Sequence, residues 1–295
     1  MKKYKSAAVI VTYNSDKYQL DLTITSLEKQ FDYLIIVDNG SVSPSTLNKT
    51  NDNYIQIDLG ENLGIAAAQN TGIKKALALD VDYILLSDQD TIYPETFFNT
   101  QRQFLKGDIA CVVPAFQDNI SGGNVSKFYF ETKWSHKEKP VNSGVFEVSQ
   151  AIASGMLLNV ALLKDSSLIY MDEDLFIDWV DFEWCWRLTN AGFKLLGNAE
   201  CVISHNLGDY KVQGIKLNLR APIRHYYITR NCIYLSLYSS SISMPLRVSL
   251  FFRTFKYMIG FPLFGTPKIS NLKAVIVGFY DGLFKRLGKC KKSLN

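Results

Sequence analysis

Short apolar runs alternating with helix-length stretches constrain this 295-residue chain more than any other feature. Ala7–Val11, Tyr33–Val37, Tyr54–Asp58, Tyr83–Leu86 and Ile109–Val113 read as strands. Between them the spacing predicts a helix over Lys17–Gln30 and another from Leu63 to Leu79 capped by Asn62. Pro94 is suited to open a further helix in its first turn. Strand and helix in turn, with short connections, mean an α/β fold: a parallel sheet covered on both faces by helices. Ligands of such sheets sit beyond the carboxyl ends of the strands. Three polar clusters fall there: Thr12-Tyr13-Asn14, Asp38-Asn39-Gly40 and Asp88-Gln89-Asp90. Strands must end in something polar, but three clusters this rich in Asp and Asn exceed what turns require.

The remaining chain divides by composition. Residues 116–150 are polar and contain Gly122-Gly123, which predicts loops and antiparallel strands over the site. Apolar character returns through Ser154-Gly155, and an acidic stretch from Asp172 to Glu183 merges into a helix carrying Trp184, Trp186 and Arg187. Past Arg220 the pattern becomes amphipathic, aromatic and basic, so a boundary is expected near 220: residues 1–220 as the ligand-binding unit, 221–295 as a C-terminal helical extension.

Composition narrows the class. Hydrophobic residues make up 47% and charged residues 20%, enough to bury a core and too apolar for disorder. No charge-free apolar run reaches the ~18 residues of a membrane span. The basic N-terminus enters a strand-like run rather than a signal-peptide core, so an unprocessed cytoplasmic chain is expected. Its five cysteines are scattered with no CxxC pair, which argues for a reducing compartment and against a zinc knuckle. Neither a P-loop nor a G-x-G-x-x-G nor a G-x-S-x-G is present, which disfavours nucleoside triphosphate hydrolysis, dinucleotide binding and α/β-hydrolase chemistry.

Within this frame a few side chains are candidates for chemistry. Asp88 and Asp90, two carboxylates just after a strand, can hold a hard divalent cation, Mg²⁺ or Mn²⁺, with a diphosphate supplying further oxygens. A solvated turn is the plainer alternative. Asp178, Asp181 and Glu183 form a second acidic cluster, where one carboxylate among apolar neighbours can serve as a general base. Acids complementing a helix dipole explain the same residues equally well. His205, at the end of an apolar pair, is a candidate for metal or phosphate contact.

The order of these motifs resembles family 2 glycosyltransferases over residues 5–235, and most of all the bacterial rhamnosyltransferases that build surface polysaccharides. Val11-Thr-Tyr-Asn14, Val37-Asp-Asn-Gly-Ser41, Asn62-Leu-Gly with Asn70, Asp88-Gln-Asp90, Ser154-Gly155, Asp181 to Arg187 and His205 carry the resemblance, with Arg224 to Asn231 similar to a late motif of that subgroup. It implies a GT-A fold, with a mixed, mostly parallel central sheet flanked by helices and a C-terminal helical extension, and inverting, metal-dependent transfer from a nucleotide-sugar, dTDP- or UDP-linked, with dTDP-rhamnose the expected donor. Thr12, Tyr13 and Asn14 would line the nucleoside pocket and Asp38, with Asn39 and Gly40, would meet the pyrimidine. Asn62, Gly64 and Asn70 would form the wall near the base and ribose. Asp88 and Gln89 would lie near ribose or diphosphate, Asp90 would hold the metal with Asp88 and His205, and Arg187 would belong to the donor site. The family's Glu-Asp pair reads Val180-Asp181 here, which makes Asp181 the expected base and Asp178 its substitute.

Charge asymmetry adds a partner. Residues 241–295 hold ten Lys and Arg against one acid, Asp281, while the rest of the chain is mildly acidic. Basic and aromatic residues interleaved on amphipathic helices suit the inner face of a membrane, and fit a polyprenyl-diphosphate-linked glycan acceptor. Packing within a core or a homo-oligomer is the competing explanation, and no nucleic-acid reader motif accompanies the charge. A nucleotidyltransferase lacks its usual basic Gly-rich loop here, and intact acids at 88, 90 and 181 count against a non-catalytic binding module.

Overall fold

The computed structural model describes residues 4–44, 52–118, 127–132, 135–205, 210–211 and 217–294. In chain order its first half comprises β1 (Ser6–Thr12), α1 (Lys17–Leu27), β2 (Tyr33–Asp38), β3 (Tyr54–Asp58), α2 (Ile65–Ala78), β4 (Tyr83–Asp88), β5 (Thr91–Ile92), α3 (Phe97–Arg102) and β6 (Ile109–Asp118). Then follow β7 (Lys127–Glu131), β8 (His136–Pro140), β9 (Val145–Val148), β10 (Met156–Asn159), α4 (Val160–Leu163), α5 (Val180–Asn190) and β11 (Lys194–His205). Three long helices close the chain: α6 (Pro222–Tyr238), α7 (Met244–Phe264) and α8 (Lys268–Leu283).

The main sheet runs β3-β2-β1-β4-β10-β6-β11-β5, with β9 pairing β11. β1, β2, β3 and β4 are mutually parallel, and β10 enters antiparallel between β4 and β6. β1 is buried along its whole length. Its Ala7, Val9 and Val11 join one core with Ile73 of α2 and Trp184 of α5. Ala8 and Ile10 join the other core with Leu20 and Ile24 of α1 and Phe97 of α3. An unbroken apolar strand is what helices on both faces of a parallel sheet demand. The chain passes from β1 outward to β2 and β3, then returns to place β4 on the other side of β1. That reversal lies between Thr12 and Asp88, where a crevice opens beyond the strand ends.

Local chemistry shifts three expected helix boundaries. α1 begins as the sequence indicates, with Asp16 accepting the Gln19 N–H at 3.0 Å. It stops at Leu27 instead of Gln30, because the Gln30 side-chain amide takes the Ser26 carbonyl at 2.7 Å, the acceptor its own backbone N–H would use in a continuing helix. α2 begins at Ile65, not Leu63: Asn62 spends its side-chain oxygen on the Gly64 N–H at 3.0 Å, an Asx-turn that precedes the helix rather than capping it. α3 begins at Phe97, and Pro94 sits in the turn before it, accepting the Phe97 N–H at 3.0 Å. The 116–150 stretch supplies the β7–β8 hairpin and β9 as antiparallel pairs, while Gly122-Gly123 lies outside the described residues.

Candidate active site

An open cleft of about 340 Å³ lies at the crevice, lined by Val11, Tyr13, Asn39, Asn62, Gly64, Ile65, Asp88, Gln89, Asp90, Phe176 and Ile177. Seven of these were expected from sequence: Tyr13, Asn39, Asn62, Gly64, Asp88, Gln89 and Asp90. Their presentation follows from turn chemistry at neighbouring strand ends. The Tyr13 N–H donates to Gln89 Oε1 at 2.8 Å, joining the ends of β1 and β4. Asn39 accepts the Leu63 N–H at 2.9 Å and donates to Asn62 Oδ1 at 3.3 Å, joining the end of β2 to the entry of α2. Gly64, at φ +94°, lies so close to Phe176 that a Cβ would stand 2.6 Å from the Phe176 carbonyl oxygen. The Ile65 N–H donates to that oxygen at 2.8 Å, so the start of α2 is fastened to the opposite wall.

Other expected donor-site residues build the cleft rather than line it. Thr12 is buried and donates its hydroxyl to Asp38 at 2.9 Å. Asp38 is 1% exposed and also accepts the Ser41 N–H and hydroxyl, each at 2.7 Å. Its carboxylate therefore closes the turn, and the side chain presented to the cleft from this cluster is Asn39. Gly40 backs onto Glu61 too closely for a Cβ, and Asn14 ties the loop by accepting the Val42 N–H at 3.0 Å. Asn70 is equally engaged: its amide bridges the Met171 backbone and Glu173, holding α2 to the 171–173 loop. Arg187 grips Glu183 through both carboxylate oxygens at 2.8 and 2.9 Å and the Tyr170 carbonyl at 2.9 Å, which is a bracket for α5 rather than a donor contact.

Asp181, in the first turn of α5, shares a support with Asp88. The Ala153 N–H donates to Asp181 Oδ2 at 3.1 Å, and the next residue, Ser154, accepts the Asp88 N–H at 3.2 Å on its hydroxyl. Thr91 shares a hydrogen bond with the same hydroxyl at 3.0 Å. Burial pushes the Asp181 carboxyl up to about 6, the Ala153 N–H pulls it down, and the nearby Asp88 and Asp178 charges push it up again. A carboxylate so placed is ionised at neutral pH and basic enough to take a proton.

Asp178 is occupied otherwise. Arg224 binds both its oxygens at 2.7 Å and Arg220 adds a third contact at 3.2 Å, so the substitute base expected from sequence is an anchor for two guanidinium groups. Phe176, Asp178 and Trp179 all have φ between +63° and +66°, a region bulky residues avoid. What fixes this backbone comes from α6. Asn231, fully buried, donates through its amide to the carbonyls of Leu175, Ile177 and Asp178 at 2.8–2.9 Å. Arg230, also fully buried, donates to the carbonyls of Asp174, Leu175 and Gly288 and to Asn231 Oδ1. The Trp179 indole donates to the Ile228 carbonyl at 3.1 Å. Sequence reasoning quoted Arg224 to Asn231 only as a late motif; two adjacent buried polar residues in an apolar helix were the signal that they do structural work.

Among the described residues no three His, Cys, Asp or Glu side chains converge as a ready-made metal site. Asp88 and Asp90 offer two hard oxygen donors to the cleft, which fits a cation that draws its remaining ligands from a diphosphate and water. The backbone of His205 pairs with Thr91, next to Asp90; its side chain lies outside the described residues.

Comparison with known proteins agrees with this geometry. Residues 7–162 match the family model described as Glycosyl transferase family 2. The chain is 30% identical over 289 residues, 94% of each protein, to the dTDP-rhamnosyl transferase RfbF of Shigella flexneri. Among solved structures it is similar to S. aureus TarS 1-349 in complex with UDP (TM-score 0.55, 16% identity, 96% of this chain and 82% of that one). It is also similar to GalNAc-T7 with UDP, GalNAc and Mn²⁺ (TM-score 0.57, 14% identity, 89% of this chain), of which it spans only 57%. Cleft, topology and similarity together make this chain a member of glycosyltransferase family 2, with the GT-A fold.

Proposed function

We propose that the enzyme transfers L-rhamnose from dTDP-rhamnose, with inversion, to a hydroxyl of a growing surface glycan carried on a polyprenyl diphosphate. Similarity to a dTDP-rhamnosyl transferase along nearly the whole chain supports the donor. The observation that supports the mechanism is the shared support at Ala153-Ser154, which keeps Asp181 within electrostatic reach of Asp88, a cleft residue, although Asp181 is not itself among the side chains that line the cleft. Asp181 accepts the proton of the acceptor hydroxyl as its oxygen attacks the anomeric carbon from the face opposite the diphosphate. The bond from that carbon to the diphosphate oxygen breaks, dTDP departs, and the proton passes from Asp181 to solvent. Tyr13, Asn39 and Asn62 hold the nucleoside end, and the carboxylates of Asp88 and Asp90 would hold a divalent cation. Such a cation offsets the charge gathering on the leaving diphosphate without needing a proton.

A donor panel tests this directly. dTDP-rhamnose, UDP-galactofuranose, UDP-glucose and UDP-GlcNAc are offered with Mn²⁺ or Mg²⁺ and with EDTA, reading melting temperature and slow donor hydrolysis. The proposal expects dTDP-rhamnose to raise the melting temperature most, and expects EDTA to abolish both that gain and hydrolysis. A larger response to a UDP-sugar would reassign the donor, and full hydrolysis in EDTA would remove the cation.

A further inference from the structure

α7 and α8 turn apolar faces outward. On α7, Met244, Val248, Phe252, Phe255, Ile259 and Leu263 are all exposed and recur at steps of three and four residues, a continuous stripe. Phe252 and Ile259 are 67% and 69% exposed. α8 repeats the pattern with Ile269, Leu272, Ile276 and Tyr280, and Ile269 is 83% exposed. Phe255 and Phe279 meet at 6.1 Å between ring centres, which joins the two stripes into one surface. A monomer in water rarely leaves so large an apolar surface uncovered.

Charge says what covers it. The exposed lysines Lys256 and Lys273 sit one turn from stripe residues on their helices, and Lys268, Lys285 and Arg286 are exposed at the ends of α8. The one acid of residues 241–295, Asp281, is 4% exposed and bound by Lys292 at 2.8 Å and by the Tyr226 hydroxyl at 3.0 Å. Residues 241–295 therefore give this surface apolar and basic side chains, and their single acid, which Arg286 also meets at 3.6 Å, is buried. A second copy of the same surface would bring one strongly basic pair of helices against another. Anionic lipid headgroups complement the net positive charge of residues 241–295, and the acyl boundary beneath them takes the aromatic and aliphatic stripe. Lysine stems can lie along that stripe with their ammonium groups at the headgroup level. Among the described residues no helix is long and apolar enough to cross a membrane, so these helices would lie in its plane.

We infer that the joined outer face of α7 and α8 seats the enzyme on an anionic lipid bilayer, parallel to the surface. The inference needs nothing from the sugar donor, and its test measures no activity.

Flotation of the full-length protein with vesicles of phosphatidylethanolamine and phosphatidylglycerol, against vesicles of phosphatidylcholine alone, decides it. At least ~10-fold more protein should float with the anionic vesicles, and the ratio should collapse in high salt. Phe252→Asp with Ile259→Asp should abolish flotation while leaving the melting temperature unchanged, since both side chains face outward. Lys256→Glu with Lys273→Glu should remove the preference for anionic lipid. Failure of the wild type to float, or equal flotation with the neutral vesicles, overturns the inference. So does a stable dimer in vesicle-free solution that Phe252→Asp with Ile259→Asp dissociates, because the face would then belong to a second copy.

Discussion

Tyr13, Asn39 and Asp88 stand at adjacent strand ends and are fixed by hydrogen bonds between the loops they belong to, whereas the opposite wall, Phe176 and Ile177, belongs to a segment, Asp174 to Asp178, fixed by side chains of α6 lying 53–56 residues away. The first wall uses backbone conformations that its Asn, Asp and Gly residues adopt readily. The second holds a Phe, an Asp and a Trp at positive φ, each costing roughly 1–3 kcal/mol. Such strain persists only where surroundings over-determine it, and Arg230 and Asn231 are those surroundings. The difference teaches that the first wall of the cleft is a property of the sheet, while the segment leading to Asp181, the proposed base, depends on α6. Substitutions can therefore separate the two.

Asp181→Asn makes the separation sharpest. The amide preserves shape and keeps an acceptor for the Ala153 N–H but cannot take the proton, so turnover should fall at least ~10²-fold. Nucleotide binding, read as the rise in melting temperature on adding dTDP, should stay within twofold of wild type. Near wild-type turnover would remove Asp181 from the chemistry.

Asn231→Ala breaks the same comparison from a distance. The Ile177 and Asp178 carbonyls lose the Asn231 amide while Leu175 keeps Arg230, a cost of about 2 kcal/mol after partial relaxation. The loop leading to Asp181 then loosens, and a displacement on the order of 1 Å can cost up to ~10²-fold in rate. A lower melting temperature and lower kcat at saturating donor, with dTDP affinity held, is the expected pattern. A parallel loss of dTDP affinity would show that the two walls are one unit. Gly64→Ala strikes where they touch: at φ +94° with Phe176 in the way, it should cost about 2–3 kcal/mol and weaken dTDP binding, which Asn231→Ala should spare.

The same contrast explains what could be read from the chain beforehand. Strand ends announce themselves, because an apolar run closed by Asp-Gln-Asp or Asp-Asn-Gly is a local signal. Five cleft-lining residues, Tyr13, Asn39, Asp88, Gln89 and Asp90, were legible on that basis, and Asn62 and Gly64 only through the family resemblance. Phe176 and Ile177 were not, since nothing local marks a bulky pair as part of a binding wall when a partner in α6 imposes its backbone. Asp38 and Asn70 were legible as important but not in kind. Their roles depend on which neighbours reach them first, Ser41 and Met171, and periodicity carries no such information. Arg187 misled for a similar reason, because its i−4 partner Glu183 claims it within the helix.

Titration gives the smallest effect and still discriminates. Burial pushes Asp181 up to about 6 from an ordinary 3.8, so the proposed base is ionised at pH 7 and protonated below its own value. kcat/KM should fall about tenfold for each unit below pH 6. Stability should move the other way. A carboxyl whose folded value is raised favours the fold in its protonated form, so its contribution is fully present below about pH 4 and is lost as pH rises through 6. The melting-temperature difference between Asp181→Asn and wild type should therefore widen from pH 5 to pH 7, while acid unfolding would lower activity and stability together. Burial lowers His136 to about 4, below a limb at 6, and His225, which burial also lowers, is enclosed between the Arg220 N–H and Asn271 and does not line the cleft. His205→Gln isolates the remaining histidine: the acid limb should keep its midpoint in that variant whatever happens to its height, and a midpoint that moved would assign the titration to His205.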